Sequence, residues 1–321
     1  MKELYAIISA HRKPAPGILG RLRLYFESMH PLPLRFLNAA ALYLSFSIIF
    51  CRANYLPVEP GNLYSLLGIG NLFLLAIILR LMDELKDLEI DRNLFSERPV
   101  PSGKVLVSDI VTALVFTVVL YLIINSFSPA TLVLALICLG YTFLMLVYFF
   151  MPILLRRYLL LNLATHNPSV ALMLLISAAI AMAPHDISLS QLDWSRALPV
   201  IIMYWFPILG WELSRKIRPA EEENEYVTYS QIFGRVPSTL ITLAVLSVPV
   251  AIGIYLAATI PLPAVFIVIL LLAYAVVLYG HLRFIFSPSP ATSQLKPYTE
   301  KYTLLVLLAG IISYLGESIL R

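Results

Sequence analysis

From about residue 36 onward, apolar stretches near twenty residues long alternate with short polar connections. The stretches fall at 36–55, 61–82, 105–127, 130–151, 162–184, 197–212, 236–258, 261–280 and 302–320, and those at 162–184 and 197–212 are the least continuous. A helix of about 20 apolar residues crosses the hydrocarbon core of a bilayer. Water is absent there, so each stretch must satisfy its own backbone hydrogen bonds, which a helix does. The pattern predicts an all-α polytopic membrane protein with nine transmembrane helices. A cytoplasmic N-terminal segment, 1–35, precedes a transmembrane domain, 36–321.

Composition agrees. The chain is 60% hydrophobic and 13% charged, with a mean hydropathy of +0.84. A soluble domain carries about 25% charge. The opening "MKELYAIISAHRKPAPG" holds an apolar stretch too short and interrupted to act as a signal peptide. Cys51 and Cys138 sit in or beside apolar stretches and point to neither a disulfide framework nor a zinc site. Nothing marks a nucleic-acid partner.

The basic residues sort the connections into two sets. One holds Lys2, Arg12, Lys13, Arg21, Arg23 and Arg35, then Lys86, Arg92, Arg98 and Lys104, then Arg156 and Arg157, then Arg215, Lys216, Arg218 and Arg235, and last Arg283, Lys296 and Lys301. The other set is nearly uncharged, as at 126–129 and 259–263. Basic connections face the cytoplasm, so the N-terminus is expected inside and Arg321 outside.

Two of the cytoplasmic connections are acidic as well. "LMDELKDLEIDRNLFSERPVPSG" carries Asp83, Glu84, Asp87, Glu89 and Asp91, and "WELSRKIRPAEEENEYVTYSQIFG" carries Glu212, Glu221, Glu222, Glu223 and Glu225. Asp83, Asp87 and Asp91 repeat every four residues, which places them on one helical face, and Glu84 can join it. Bare, such neighbours repel. Oxygen ligands suit a hard cation, and Mg²⁺ takes one or two carboxylates plus substrate phosphates. The alternative is a solvated helix end neutralised by Lys86, Arg92 and Arg98. For Glu221–Glu225 the solvated turn is the simpler reading.

The first acidic stretch resembles the first aspartate-rich motif of the UbiA superfamily of intramembrane prenyltransferases. That motif reads Asn-Asp-x-x-Asp-x-x-x-Asp, then Arg, then a tail Arg-Pro-Leu-Pro-x-Gly. Asp83 takes the Asn position; Glu84, Asp87 and Asp91 take the three Asp positions. Arg92 follows, and Arg98-Pro99-Val100-Pro101-Ser102-Gly103 matches the tail. Arg156 and Arg157 resemble a Lys-Arg pair after the fourth span. The second motif, Asp-x-x-x-Asp followed by Thr and Gly, is matched only in part. Glu212 and Lys216 are the nearest counterparts, with Thr228 and Gly234 beyond them, or else the pair slides into Glu221–Glu225.

The resemblance implies nine helices around a central cavity that faces the cytoplasm. It implies an enzyme that moves a prenyl group from an isoprenyl diphosphate to a lipophilic acceptor, aromatic or alcohol, through an allylic cation with Mg²⁺. The implied catalytic residues are Asp83, Asp87, Asp91, Glu212 and Lys216, and the implied metal ligands are Asp83, Glu84, Asp87, Asp91 and Glu212. Arg92, Arg98, Arg156, Arg157, Arg215 and Arg218 would hold phosphate oxygens. Tyr141 and Tyr148 would face the cation, or else belong to packing and the interfacial aromatic belt. Asn162, His166 and Asn167 lie at membrane depth, where polar residues usually face the bundle interior. They line an acceptor pocket or make an interhelical hydrogen bond. Two other readings stand: a membrane terpene cyclase of the same superfamily that needs no acceptor, and a non-catalytic transporter or lipid-binding protein.

Overall fold

The structure, a computed structural model, describes residues 17–223 and 227–320, and only the backbone of 318–320. Lys2, Arg12, Lys13, Glu225 and Arg321 therefore lie outside the described residues. Among those described there are helices and no strand. They are α1 (Ile18–Met29), α2 (Leu32–Ala53), α3 (Leu63–Lys86), α4 (Leu88–Leu94), α5 (Val107–Asn125), α6 (Pro129–Leu146), α7 (Pro152–Arg157), α8 (Leu159–His166), α9 (Pro168–Met182), α10 (Trp194–Ser214), α11 (Tyr229–Phe233), α12 (Arg235–Thr259), α13 (Ala264–Phe286) and α14 (Lys296–Leu320).

Among the described residues, eight helical segments are long and apolar enough to cross a membrane. They match eight of the nine expected spans. The remaining stretch, 302–320, falls in α14, whose 25 residues make it long enough. Its ends carry Glu300, Lys301 and Glu317, which dilute its apolar character. The chain is an integral, multi-pass, all-helical membrane protein.

The span expected at 162–184 is not one helix. Leu159–His185 runs through α8, α9 and a 3₁₀ turn. Pro168 starts α9 rather than kinking a helix interior. The first helical position suits proline, because its missing N–H would have no partner there. Pro129 and Pro152 open α6 and α7 in the same way. By contrast, α10 tolerates Pro199 and Pro207 internally.

The chain divides into two compact units, 17–37 with 73–123, and 38–72 with 124–320. In the first, Tyr25, Ile77, Leu81, Val100, Val105 and Ile110 form a buried core. α1 is pinned to it by Arg21, whose Nε and Nη2 donate to the two oxygens of Asp109 at 2.6 and 2.8 Å.

The second unit has its core among α2, α9, α10, α12, α13 and α14, with Phe46, Tyr204, Leu246, Phe266 and Tyr302 fully buried. Several of its buried polar groups are paired, as apolar surroundings favour. Tyr204 donates to the Ser45 carbonyl at 2.9 Å, and Tyr302 to the Leu246 carbonyl at 2.7 Å. Arg52 makes a two-pronged bond to Glu317 at 2.9 and 2.6 Å.

Candidate functional site

In the first unit the acidic stretch leaves the end of α3. The helix is not continuous through it: Asp87 sits at a bend with φ −96° and ψ 5°, and α4 begins at Leu88. The backbone ladder survives the bend. Asp87 N–H donates to Asp83 at 2.9 Å, and Asp91 N–H to Asp87 at 2.8 Å. The four-residue spacing is therefore preserved, but the carboxylates have unequal surroundings.

Asp83 is exposed and Asp87 half-buried. Glu84 does not share their setting. It is 2% exposed, and its Oε2 accepts from Arg80 Nη2 at 2.5 Å and from the Tyr25 hydroxyl at 3.2 Å. One residue step turns a helix by about 100°, so Glu84 points into the core when Asp83 points out. Asp91 is 6% exposed and accepts from Arg98 Nη1 at 2.7 Å. Arg98 also lies over the Phe95 ring, 3.9 Å from its centre. Arg92 is exposed on the last turn of α4.

The proline-rich tail now has a mechanical role. Ser102 N–H bonds to Arg98 and Val105 N–H to Pro99, both at 2.9 Å. Gly103 adopts φ +75°, a conformation open to glycine without strain. The turn thus holds Arg98 where it clasps Asp91. Tyr25 sits under this region, and burial raises its hydroxyl pKa, so it stays a donor.

In the second unit Glu212, on the last turn of α10, is held by two cations. Arg215 donates through Nε and Nη2 at 2.6 and 2.8 Å, and Lys216 Nζ stands 3.3 Å away. Arg218 donates from its backbone to Ser230 Oγ at 2.9 Å and from Nη1 to the Glu222 carbonyl at 3.4 Å. Glu223 accepts from the hydroxyls of Thr228 at 2.7 Å and Ser230 at 2.5 Å, and Glu222 accepts from Ser293 at 3.2 Å. Thr228 caps α11, reciprocated by Gln231, and Gly234 ends that helix at φ +84°. Thr228 and Gly234 therefore shape the connection between α10 and α12.

The remaining candidates cluster around α6–α9 of the same unit. Tyr141 donates to the Thr165 carbonyl at 2.7 Å. Tyr148 is nearly buried and lies 4.9 Å below the Arg156 guanidinium, while Arg157 lies 5.5 Å from the Tyr158 ring centre. Tyr148, Phe149 and Phe150 all take positive φ, which is costly for aromatic residues. Asn162 donates to the Leu155 carbonyl at 3.3 Å, and His166 Nδ1 lies 3.0 Å from the Asn162 carbonyl. Asn167 accepts from the Trp205 indole, an interhelical hydrogen bond between the α8–α9 junction and α10.

Sequence reasoning passed over two features. One is Arg80, whose position four before Glu84 is a standard helical ion-pair spacing. In the second unit, His281 is wholly buried on α13, 3.5 Å from Ser214 Oγ, which in turn is 2.8 Å from Thr299 Oγ1. A histidine inside an apolar span is itself a flag. This network ties the end of α10, which carries Glu212 and leads into Lys216, to α13 and α14.

Among the described residues no group of three or more His, Cys, Asp or Glu comes together as a metal cage. Mg²⁺ needs less when substrate oxygens complete its shell. Asp83 and Asp87 are joined through one backbone hydrogen bond at 2.9 Å. Glu84, Asp91 and Glu212 already accept from arginine or lysine.

No protein-family model matches the sequence, and no curated protein does. Solved structures do match in shape. A digeranylgeranylglyceryl phosphate synthase is similar over 92% of this chain and 98% of its own, at 15% identity and a TM-score of 0.63. A UbiA homolog from Aeropyrum pernix K1 is similar over 85% of this chain and 96% of its own, at 16% identity and a TM-score of 0.66. The chain has the UbiA fold. The comparison agrees with the resemblance read from the acidic motif.

Proposed function

We propose that the chain is an intramembrane transferase. It moves a prenyl group from an isoprenyl diphosphate to a lipophilic acceptor, aromatic or alcohol, at a site open to the cytoplasm. The observation that carries this is the ladder of Asp83, Asp87 and Asp91, continued by the Arg98 clasp, on a UbiA fold.

Asp83 and Asp87 are the residues that would hold magnesium. Magnesium, when bound, supplies neutralising charge to the departing diphosphate. Arg92 and Arg98 offer guanidinium groups to phosphate oxygens. Arg98 is kept in place by Asp91 and Phe95. Glu84 serves in this reading as the partner of Arg80 and Tyr25 and not as a ligand. In the second unit, taken alone, Lys216 with Arg215 and Arg218 presents positive charge to phosphate oxygens, and Arg156 and Arg157 do the same beside α7. In the reaction the allylic C–O bond breaks and the diphosphate leaves with its electron pair. The acceptor's oxygen or ring carbon bonds to the allylic carbon and then loses its proton. Tyr141 and Tyr148 are the proposed shields of the cation.

One observation favours a second reading. Glu212 is paired with cations and not with a second carboxylate. A chain with that arrangement can ionise the diphosphate and let the substrate's own double bond attack, as a cyclase does.

The test is pyrophosphate release by purified protein given a prenyl diphosphate. The reading expects release with Mg²⁺, loss in excess chelator, and loss in Asp83→Asn and Asp87→Asn. Full turnover under chelation, or in both variants, would show that the aspartates serve another purpose.

A further inference from the structure

The first unit contains a second polar cluster, away from the exposed face of Asp83. Tyr25, His30, Arg35, Arg80 and Glu84 gather where α1 turns into α2 beside the end of α3. Arg80 pairs with Glu84 Oε2, and the Arg80 guanidinium lies 6.0 Å from the Tyr25 ring centre. His30 is 7% exposed and Glu84 2%. Four buried side-chain atoms here make no hydrogen bond: His30 Nε2, Arg35 Nε, Arg80 Nε and Glu84 Oε1. Buried polar atoms are nearly always paired, and leaving one unpaired is costly. Four in one place mark a position built for a ligand.

Their chemistry specifies that ligand. Two guanidinium N–H groups need acceptor oxygens, whereas Glu84 Oε1, a carboxylate oxygen, needs a donor. A ligand that carries both oxyanion and hydroxyl satisfies both demands at once. With Glu84 offsetting Arg80, one net positive charge remains, which favours a singly charged anion. His30 does not add to it: burial, then the charges of Arg35 and Arg80, hold its pKa down to about 4. A phosphodiester with a neighbouring hydroxyl, such as a phosphoglycerol group, meets each requirement. The surroundings favour a lipid as its source. Leu34, Phe36 and Leu37, which flank Arg35 in sequence, are 52%, 46% and 63% exposed, an apolar skirt beside it. Basic pockets beside transmembrane helices bind anionic headgroups.

We infer that His30, Arg35, Arg80 and Glu84 form a binding site for a singly charged phosphoglycerol headgroup. Arg35 and Arg80 hold the phosphate, and Glu84 accepts the glycerol hydroxyl. The site is independent of the prenyl-transfer reading.

The experiment adds phosphatidylglycerol, phosphatidylcholine or glycerophosphoglycerol, the water-soluble phosphodiester, to the purified protein in neutral detergent. Retained ligand is read by native mass spectrometry and the unfolding midpoint by a thermal scan. Phosphatidylglycerol should be retained and should raise the midpoint, and phosphatidylcholine should do neither. Arg35→Gln should weaken retention about 10- to 150-fold, the worth of one charge-assisted contact, and Arg35→Lys should recover part of it. Equal effects of phosphatidylglycerol and glycerophosphoglycerol, both lost in Arg35→Gln, would keep the site and make its source soluble. Equal retention of both lipids, or no response to any ligand, would overturn it. The lipid comparison on the unmodified protein decides the matter even if Arg35→Gln does not fold.

Discussion

Glu84 is the test case for telling a structural carboxylate from the aspartates proposed to be catalytic. Its side chain is 1% exposed, and that of its partner Arg80 is 23% exposed. Glu84→Ala would strand the Arg80 guanidinium and remove the acceptor of the buried Tyr25 hydroxyl. Breaking a buried pair from one side costs about 3–5 kcal/mol. Arg80 retains some water, so the lower end applies, about 3 kcal/mol. At roughly 2 °C per kcal/mol for a large chain, the unfolding midpoint should fall by about 6 °C. Asp83→Ala, at an exposed position, should shift it by about 1 °C or less. The double variant Arg80→Met/Glu84→Leu leaves no unpaired charge, so it should lose less than Glu84→Ala alone. The assay is thermal unfolding of the four proteins side by side in one detergent. If Glu84→Ala unfolds with Asp83→Ala, or the double variant is the least stable, the carboxylate does not anchor α3 and the assignment fails.

His30 gives the stability a pH dependence of definite sign. A histidine whose folded pKa lies below its unfolded value contributes fully above pH 6.5 and loses that contribution as pH falls toward 4. The loss is about 2 kcal/mol by pH 5 and about 3 kcal/mol below pH 4, facing Arg35, Arg80, Glu84 and Tyr25. His30→Asn should flatten this component, and an unchanged difference between pH 7 and pH 5 would refute it. Lys216→Ala should slow turnover about 10- to 150-fold, the worth of a phosphate contact of roughly 1.5–3 kcal/mol, and Lys216→Met should do the same. Near-normal rates in both, with the fold intact, would leave Lys216 as only a partner of Glu212.

Much of this was readable along the chain. The spans were legible because a bilayer demands about twenty apolar residues each, and eight reappear within a few residues of their expected ends. The single face for the aspartates was half right. Their backbone spacing holds through Asp87, but the neighbour Glu84 faces inward. Spacing alone cannot say which side of a helix is the core, and the partner that decides it, Tyr25, is 59 residues away. The Arg98 clasp was latent in the motif, since the proline-rich turn fixes where Arg98 points. The Leu159–His185 run looked like one span because apolar content does not register the break between α8 and α9. Pro168, which opens α9, is the signal of that break. Glu212 was identified as a lone acid beside a lysine, and the structure adds Arg215 as its closer partner.

The central claim is that this chain ionises an isoprenyl diphosphate. The most direct measurement incubates the purified protein with a panel of prenyl diphosphates of different length and Mg²⁺, with and without lipophilic acceptors, and identifies products by mass spectrometry. The account predicts a prenylated aromatic or alcohol that forms only when acceptor is present, with pyrophosphate released in equal amount. A cyclic hydrocarbon or alcohol formed without acceptor would make the chain a cyclase. Recovery of every diphosphate intact, under conditions where the protein remains folded, would contradict the account.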